Sequence, residues 1–164
     1  MGWLPADFEH PVRADVPGGY HLRPITAADT PLDYPAVMGA QQRLWTIFGE
    51  AWGWPSATMT YQQNLDDLAR HEAEIAAHQS FNYALFDDAE TALLGCVYID
   101  PPEKLGADAE ISWWTVDGDA GTRLLPVLDT LVPQWIAARW PFERPRYIGR
   151  DLSWPQWIAL PDAS

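Results

Sequence analysis

The stretch Leu93–Arg123, LLGCVYIDPPEKLGADAEISWWTVDGDAGTR, constrains the fold more than any other part of the chain. Leu93, Leu94, Cys96, Val97, Tyr98 and Ile99 form an apolar run closed by Asp100, Pro101 and Pro102. That is the pattern of a strand buried on both faces and ended by residues that cannot extend a ladder. Residues 109–116, rich in aromatic and β-branched side chains, predict a second strand. The glycine-containing turn 117–122 follows. Thr122 then reads as the N-cap of a helix with apolar positions at Leu124, Leu125, Leu128, Leu131, Val132, Trp135 and Ile136. A hairpin that runs through a glycine turn into a helix presents unpaired N–H groups at the helix start, where an anion can bind.

The other elements are read from periodicity. Tyr20–Pro24 predicts a first strand, and residues 1–19, broken by prolines and glycines, predict an extended arm lying on a single domain over 20–164. Tyr34, Val37, Met38, Gln41, Leu44, Trp45 and Phe48 recur at helical intervals, so one helix is expected from Asp33 to Phe48, ended by Gly49. Thr60 and Gln63 form a capping box for a second helix reaching Gln79. Residues 81–86 read as a strand, Arg146–Arg150 as a fifth strand, and Ser153–Ile158 as a capped helical turn. Pro126 falls in the first turn of the long helix, and Pro133 predicts a kink near Asp129. The order β-α-α-β-β-β-α-β makes this an α/β chain.

A net charge of −13 on 164 residues repels nucleic-acid backbones and anionic membrane surfaces and attracts cationic small molecules. Neither nucleic acid nor membrane is therefore an expected partner. The chain has no apolar run approaching the roughly 20 residues that span a bilayer. The acidic N-terminus lacks a signal-peptide pattern, and the lone Cys96 offers no disulfide, so a cytoplasmic location is expected. Five of the ten basic residues, Arg123, Arg139, Arg144, Arg146 and Arg150, cluster near the helix start and beyond it. They either pair with the acidic remainder or form an anion site. His71, Glu74 and His78 share a helical spacing without completing a zinc-protease pattern, so no metal is expected. Ser112 and Ser153 lack a nucleophile-elbow context, and Cys96 reads as an inert core thiol.

This order of elements, with Leu22–Asp29 leading into the first helix and Ala109-Glu110-Ile111 opening an aromatic strand, resembles the GNAT superfamily of N-acyltransferases. The resemblance implies a mixed, mainly antiparallel sheet with helices on both faces, the family's final hairpin missing. It implies acetyl-CoA as cofactor and an amine as acyl acceptor, which the acidic charge makes a cationic small molecule. By the same resemblance Trp114, Thr115 and Val116 bind the pantetheine arm, and Gly121, Thr122 and Arg123 fall in the phosphate loop. Only Gly121 matches the family's Gln/Arg-x-x-Gly-x-Gly/Ala pattern, Arg123 standing where Gly or Ala is usual, and Asp117 and Asp119 add opposing charge.

Glu110 matches the position of a general base, and Tyr147 is the nearest counterpart of the family's general-acid tyrosine. For Glu110 an equally open reading is a strand carboxylate paired with an arginine, since alternation places it with Ser112 and Trp114. Glu50, Trp52, Trp54 and Tyr61 lie where GNAT domains contact the acceptor, and aromatic walls with a carboxylate suit a cation. The same tryptophans equally suit a core cap. A GNAT-fold module without catalysis, acting in ligand binding or interaction, is the alternative function. A sheet edge left open by the missing hairpin gives a homodimer as a further expectation.

Overall fold

The computed structural model of the protein describes residues 2–163. Six strands form one sheet in chain order: β1 (Ala14–Val16), β2 (Tyr20–Pro24), β3 (Phe81–Asp87), β4 (Leu93–Asp100), β5 (Ala109–Thr115) and β6 (Pro145–Tyr147). Every neighbouring pair is antiparallel except β5 and β6, which run parallel. Five α-helices flank the sheet: α1 (Thr30–Gly39), α2 (Gln41–Trp52), α3 (Tyr61–Ala76), α4 (Asp119–Arg139) and α5 (Trp154–Ile158). This is the expected mixed α/β architecture.

Strands β3, β4 and β5 are almost wholly buried because helices cover both faces. Alternation assigns the faces. Trp113 points toward α4, where its indole N–H donates to Asp129 at 2.9 Å. Cys96, Tyr98 and Asp100 point the other way, toward α1 and α3. Across that second face the register places Asn82, Tyr98 and Ser112 in one row, with Cys96 beside Trp114 in the row before it and Asp100 beside Glu110 in the row after.

Four local expectations are corrected. The predicted helix over 33–48 is two helices: α1 stops at the poor helix former Gly39, Ala40 leaves helical geometry, and α2 continues to a left-handed Gly53 (φ 63°) rather than Gly49. Thr122 is not the N-cap of α4. Gly118, with φ 98°, turns the chain earlier, and the Thr122 hydroxyl donates back to the Gly118 carbonyl at 2.9 Å. Pro126 therefore lies beyond the first turn, and α4 runs unbroken through it and Pro133. The N-terminal arm is not wholly irregular, since Ala14–Val16 adds β1 to the sheet edge. Before that, Trp3 anchors the arm by stacking on Phe142 (5.4 Å between centroids) and donating to the Asp108 carbonyl at 2.8 Å. The capping box at Thr60 forms as read, and the capped turn expected at Ser153 is closed by a capping box with Gln156.

The turn between β5 and α4 depends on one close approach. A Cβ on Gly121 would stand 1.7 Å from the Val116 carbonyl oxygen, far inside contact distance, and the Gly121 carbonyl accepts from the Thr115 hydroxyl at 2.8 Å. Gly121→Ala is expected to push α4 off the end of β5 and destabilise the fold by about 3 kcal/mol or more, read as a lowered denaturation midpoint. A midpoint within error of wild type would refute the close packing.

Candidate functional site

A cavity of about 650 Å³ lies on the α1–α3 face of the sheet. Its floor is the side chains of Asn82, Tyr98, Asp100, Glu110 and Ser112, and Trp52, Trp54, His71, Ile148 and Trp157 are among its walls. Six carboxylates line it (Asp33, Asp67, Glu74, Asp100, Glu103 and Glu110) against a single arginine, Arg70. Burial, then the Arg70 charge, pushes His71 down to about 4, so its imidazole is neutral at pH 7. The site therefore concentrates negative potential in a concave, aromatic-walled space.

The carboxylates differ in how they are held. Glu110 is 3% exposed. Its Oε1 accepts from the Glu103 N–H at 2.7 Å, and its Oε2 accepts from Arg146 at 3.0 Å and the Trp157 indole at 2.6 Å. Asp100 is half-buried and, among the described residues, its carboxylate accepts only from the Ser80 hydroxyl, at 2.5 Å. Burial, with smaller contributions from neighbouring carboxylates, pushes it up to about 7. Asp33 is buried on α1, accepts from the Asn64 amide at 2.9 Å and lies 3.9 Å from the Cys96 thiol. Burial raises it to about 6 despite the Asn64 bond. Asn82 is 3% exposed, and its Oδ1 has no hydrogen-bond partner among the described residues.

The cavity reaches the place where β5 and β6 part. The two strands pair only from Ala109 to Ile111, and the last rung is the Ile148 N–H to the Ile111 carbonyl at 3.0 Å. Further along, ladder alternation turns the backbone of Trp113 and Thr115 toward the gap, because Val116 N–H already faces β4 through Leu94. Arg150 donates to the Trp113 carbonyl at 3.4 Å and lies 4.0 Å over its ring, while Arg43 donates to the Thr115 carbonyl and pairs with Asp117 at 2.6 Å. Among the described residues nothing accepts from the Trp113 or Thr115 N–H.

The predicted site residues separate in the structure. Trp52 and Trp54 line the cavity; Glu50 faces a shallower hollow beside Lys104, and Tyr61 is exposed and packs on Tyr34. Glu110 is on the cavity floor, but Tyr147 shares a register position with Ile111 and packs against Trp113 at 6.0 Å, on the opposite face of the sheet. Alternation along β6 leaves Tyr147 unable to act beside Glu110. Trp114 is buried, its indole N–H donating to the Tyr98 hydroxyl at 2.8 Å; Thr115 and Val116 close the β5 end, and Gly121 abuts them. Thr122 is exposed, and Arg123 turns away from the helix start to donate to the Tyr20 hydroxyl at 2.7 Å.

Of the arginine cluster, Arg146 and Arg150 pair with Glu110 and Asp129, so the pairing alternative holds for them. His78 sits outside the cavity, 3.0 Å from His10, and no group of three metal-ligating side chains occurs among the described residues. Sequence reading passed over Asp33, Asn82 and Asp100 as site residues. Asp100 was legible as the last inward position of a strand whose other inward residues are Cys96 and Tyr98, whereas Asp33 and Asn82 gave no such signal.

No helix among the described residues is long and apolar enough to cross a membrane. No protein-family model matches this sequence, and no curated protein matches it. Solved structures do. One is an acetyltransferase from Salmonella typhimurium that modifies the N-terminal serine of 50S ribosomal subunit protein L7/L12, with a TM-score of 0.63 at 13% identity over 81% of this chain and 72% of that one. Another is RimJ from Mycobacterium smegmatis in complex with CoA-disulfide, with a TM-score of 0.60 at 16% identity over 85% and 69%. A third is the ribosomal-protein-S5-alanine acetyltransferase from Vibrio fischeri, with a TM-score of 0.56 at 13% identity over 78% and 69%. With its parallel β5–β6 pair parting beside the start of α4, the chain has the fold of the GNAT acetyltransferases.

Proposed function

We propose that this protein is an N-acyltransferase that moves an acyl group from acyl-CoA to the amine of a cationic small molecule. The observation that carries this reading is the meeting of two features at one point. The acidic cavity extends to Ser112 and Ile148, where β5 leaves β6 with the N–H groups of Trp113 and Thr115 unclaimed.

The residues present fit acyl-CoA along this edge. Trp113 and Thr115 N–H groups suit the carbonyls of a pantetheine arm, and the packing of Gly121 on Val116 brings the first turn of α4, with its free N–H groups, to the end of the same strand. Bound acyl-CoA supplies an activated thioester. The chain's own residues do the rest. A preorganised N–H at the β5 edge stabilises charge developing on the acyl oxygen. The carboxylate lining draws in the ammonium, and Trp52 and Trp54 wall it from water.

Asp100 accepts the proton that the ammonium gives up, because a carboxylate poised near 7 is matched to that transfer at neutral pH. Glu110, the base expected from the resemblance, has both oxygens taken by three donors and serves instead to hold α5 and β6 against β5.

A second reading, a GNAT-fold binding module without catalysis, is favoured by one observation. The Trp113 and Thr115 carbonyls, which a pantetheine amide would need as acceptors, are already held by Arg150 and Arg43.

Acetyl-CoA at near-millimolar concentration is expected to raise the melting temperature of the wild-type protein, as any specific ligand of the folded state must. No rise in wild type, with a rise gained by the Arg43→Ala/Arg150→Ala double variant, would instead establish the binding-module reading. In the transferase, the active base is deprotonated Asp100, so kcat/KM should climb as pH passes upward through about 7. Asp100→Asn should abolish that inflection and lower kcat by about 100-fold with cofactor affinity kept. An unchanged pH profile removes Asp100 from the chemistry. Glu110→Gln strips the partner from Arg146 in a buried pair and should lower stability by about 3 kcal/mol, measured by denaturant titration.

A further inference from the structure

Two features of the cavity remain unused by a single ammonium bound at Asp100. Asp33 lies at the opposite end of the floor, over Cys96, and lines the same space. Cys96 and Asp100 are four positions apart on β4, which is about 13 Å along an extended strand. Between them, on neighbouring β3, stands Asn82, buried and lining the cavity with its Oδ1 unpartnered. An orphaned buried acceptor costs the free protein its desolvation, and a donor-bearing ligand removes that cost. Among the described residues no cation pairs with Asp33: its partners are the Asn64 amide and the Cys96 thiol. Arg70, the arginine of the lining, is already paired with two of the lining carboxylates, Asp67 and Glu74.

We propose that the cavity binds a linear dication: one ammonium at Asp100 and Ser80, the second at Asp33 and Asn64, and the intervening chain passing Asn82 and the aromatic walls. This deepens the acceptor-site reading above by naming its substrate class, and Asp33 is the residue that selects for it. A monoamine satisfies one end and leaves the far carboxylate buried without a counter-ion. A diamine long enough to span the floor neutralises both ends and brings N–H donors past the unpartnered Asn82 Oδ1. Chain length is selected by the separation of Asp33 and Asp100.

Binding of octanediamine and octylamine is compared by calorimetry with no acyl-CoA present, so that a protein unable to transfer acyl groups still reports on the cavity. Wild type is expected to bind the diamine at least tenfold more tightly than the monoamine. Asp33→Asn should bring the two affinities together, with the diamine losing at least tenfold, and Asp100→Asn should weaken both ligands. Asp33→Asn is expected to keep the fold, checked by its melting temperature: an amide oxygen can still accept from Asn64, and a neutral amide escapes the loss of stability that the buried carboxyl suffers as pH rises from about 4 through about 6. Asn82→Leu should raise the melting temperature of the free protein while weakening the diamine, a combination that a purely structural asparagine would not give. Equal affinity for the two amines, or a diamine preference that survives Asp33→Asn, overturns the proposal whether or not the protein proves to be a transferase.

Discussion

The Glu110 carboxylate is the interaction on which the C-terminal third of the molecule depends. A buried, ionised carboxylate is tolerated only where donors replace the water it has lost. Here they come from three separate segments: the backbone of the β4–β5 loop, Arg146 of β6 and the Trp157 indole of α5. Strand β6 is only three residues long and α5 only five, too little backbone to hold either in place. The Glu110 carboxylate ties both to β5, backbone bonds from Ile148 to Ile111 and from Leu105 to Pro161 reinforce them, and Trp154 adds an edge contact to Phe48 and Trp52. Since Ile148 and Trp157 form a wall of the cavity, the same hub also shapes the acceptor space.

The β4–β5 hairpin and the helix after it were legible in the sequence because each obeys a local rule: an apolar run stopped by prolines, an aromatic and β-branched run, then helical periodicity. The break at Ala40 was not. Apolar spacing continues across it, and only tertiary packing distinguishes one bent path from one straight helix. Gly118 rather than Thr122 opens α4 because a positive φ turns the chain sooner than a side-chain cap would require. Trp52 and Trp54, expected from their composition and neighbours, line the cavity. Tyr147 falls on the face opposite Glu110 because its expected place came from a helix position, whereas on a strand alternation decides the face. Asp33 and Asn82 come from elements distant in sequence, and nothing local marks a buried polar residue as part of a shared cavity.

The ten tryptophans resolve into both roles that the sequence left open. Trp3, Trp135 and Trp140 join Phe8, Phe81, Tyr83 and Phe142 in a cluster where the N-terminal arm meets the end of α4. Trp52 and Trp54 meet Phe48 and Tyr98 on the other face and wall the cavity. Offset and edge-on ring geometry predominates in both, giving large buried area with defined orientation. A rigid aromatic frame suits a site whose acidic groups would otherwise repel one another apart.

The two arginines that clasp the β5 edge bear on how this molecule behaves in company. A strand deserted by its neighbour is a template onto which a foreign chain can zip, using whichever main-chain oxygens and amides it finds bare. With Arg150 on the Trp113 oxygen and Arg43 on the Thr115 oxygen, half of that template is masked by cationic groups. The protein can thus keep a parted sheet without inviting its own polymerisation.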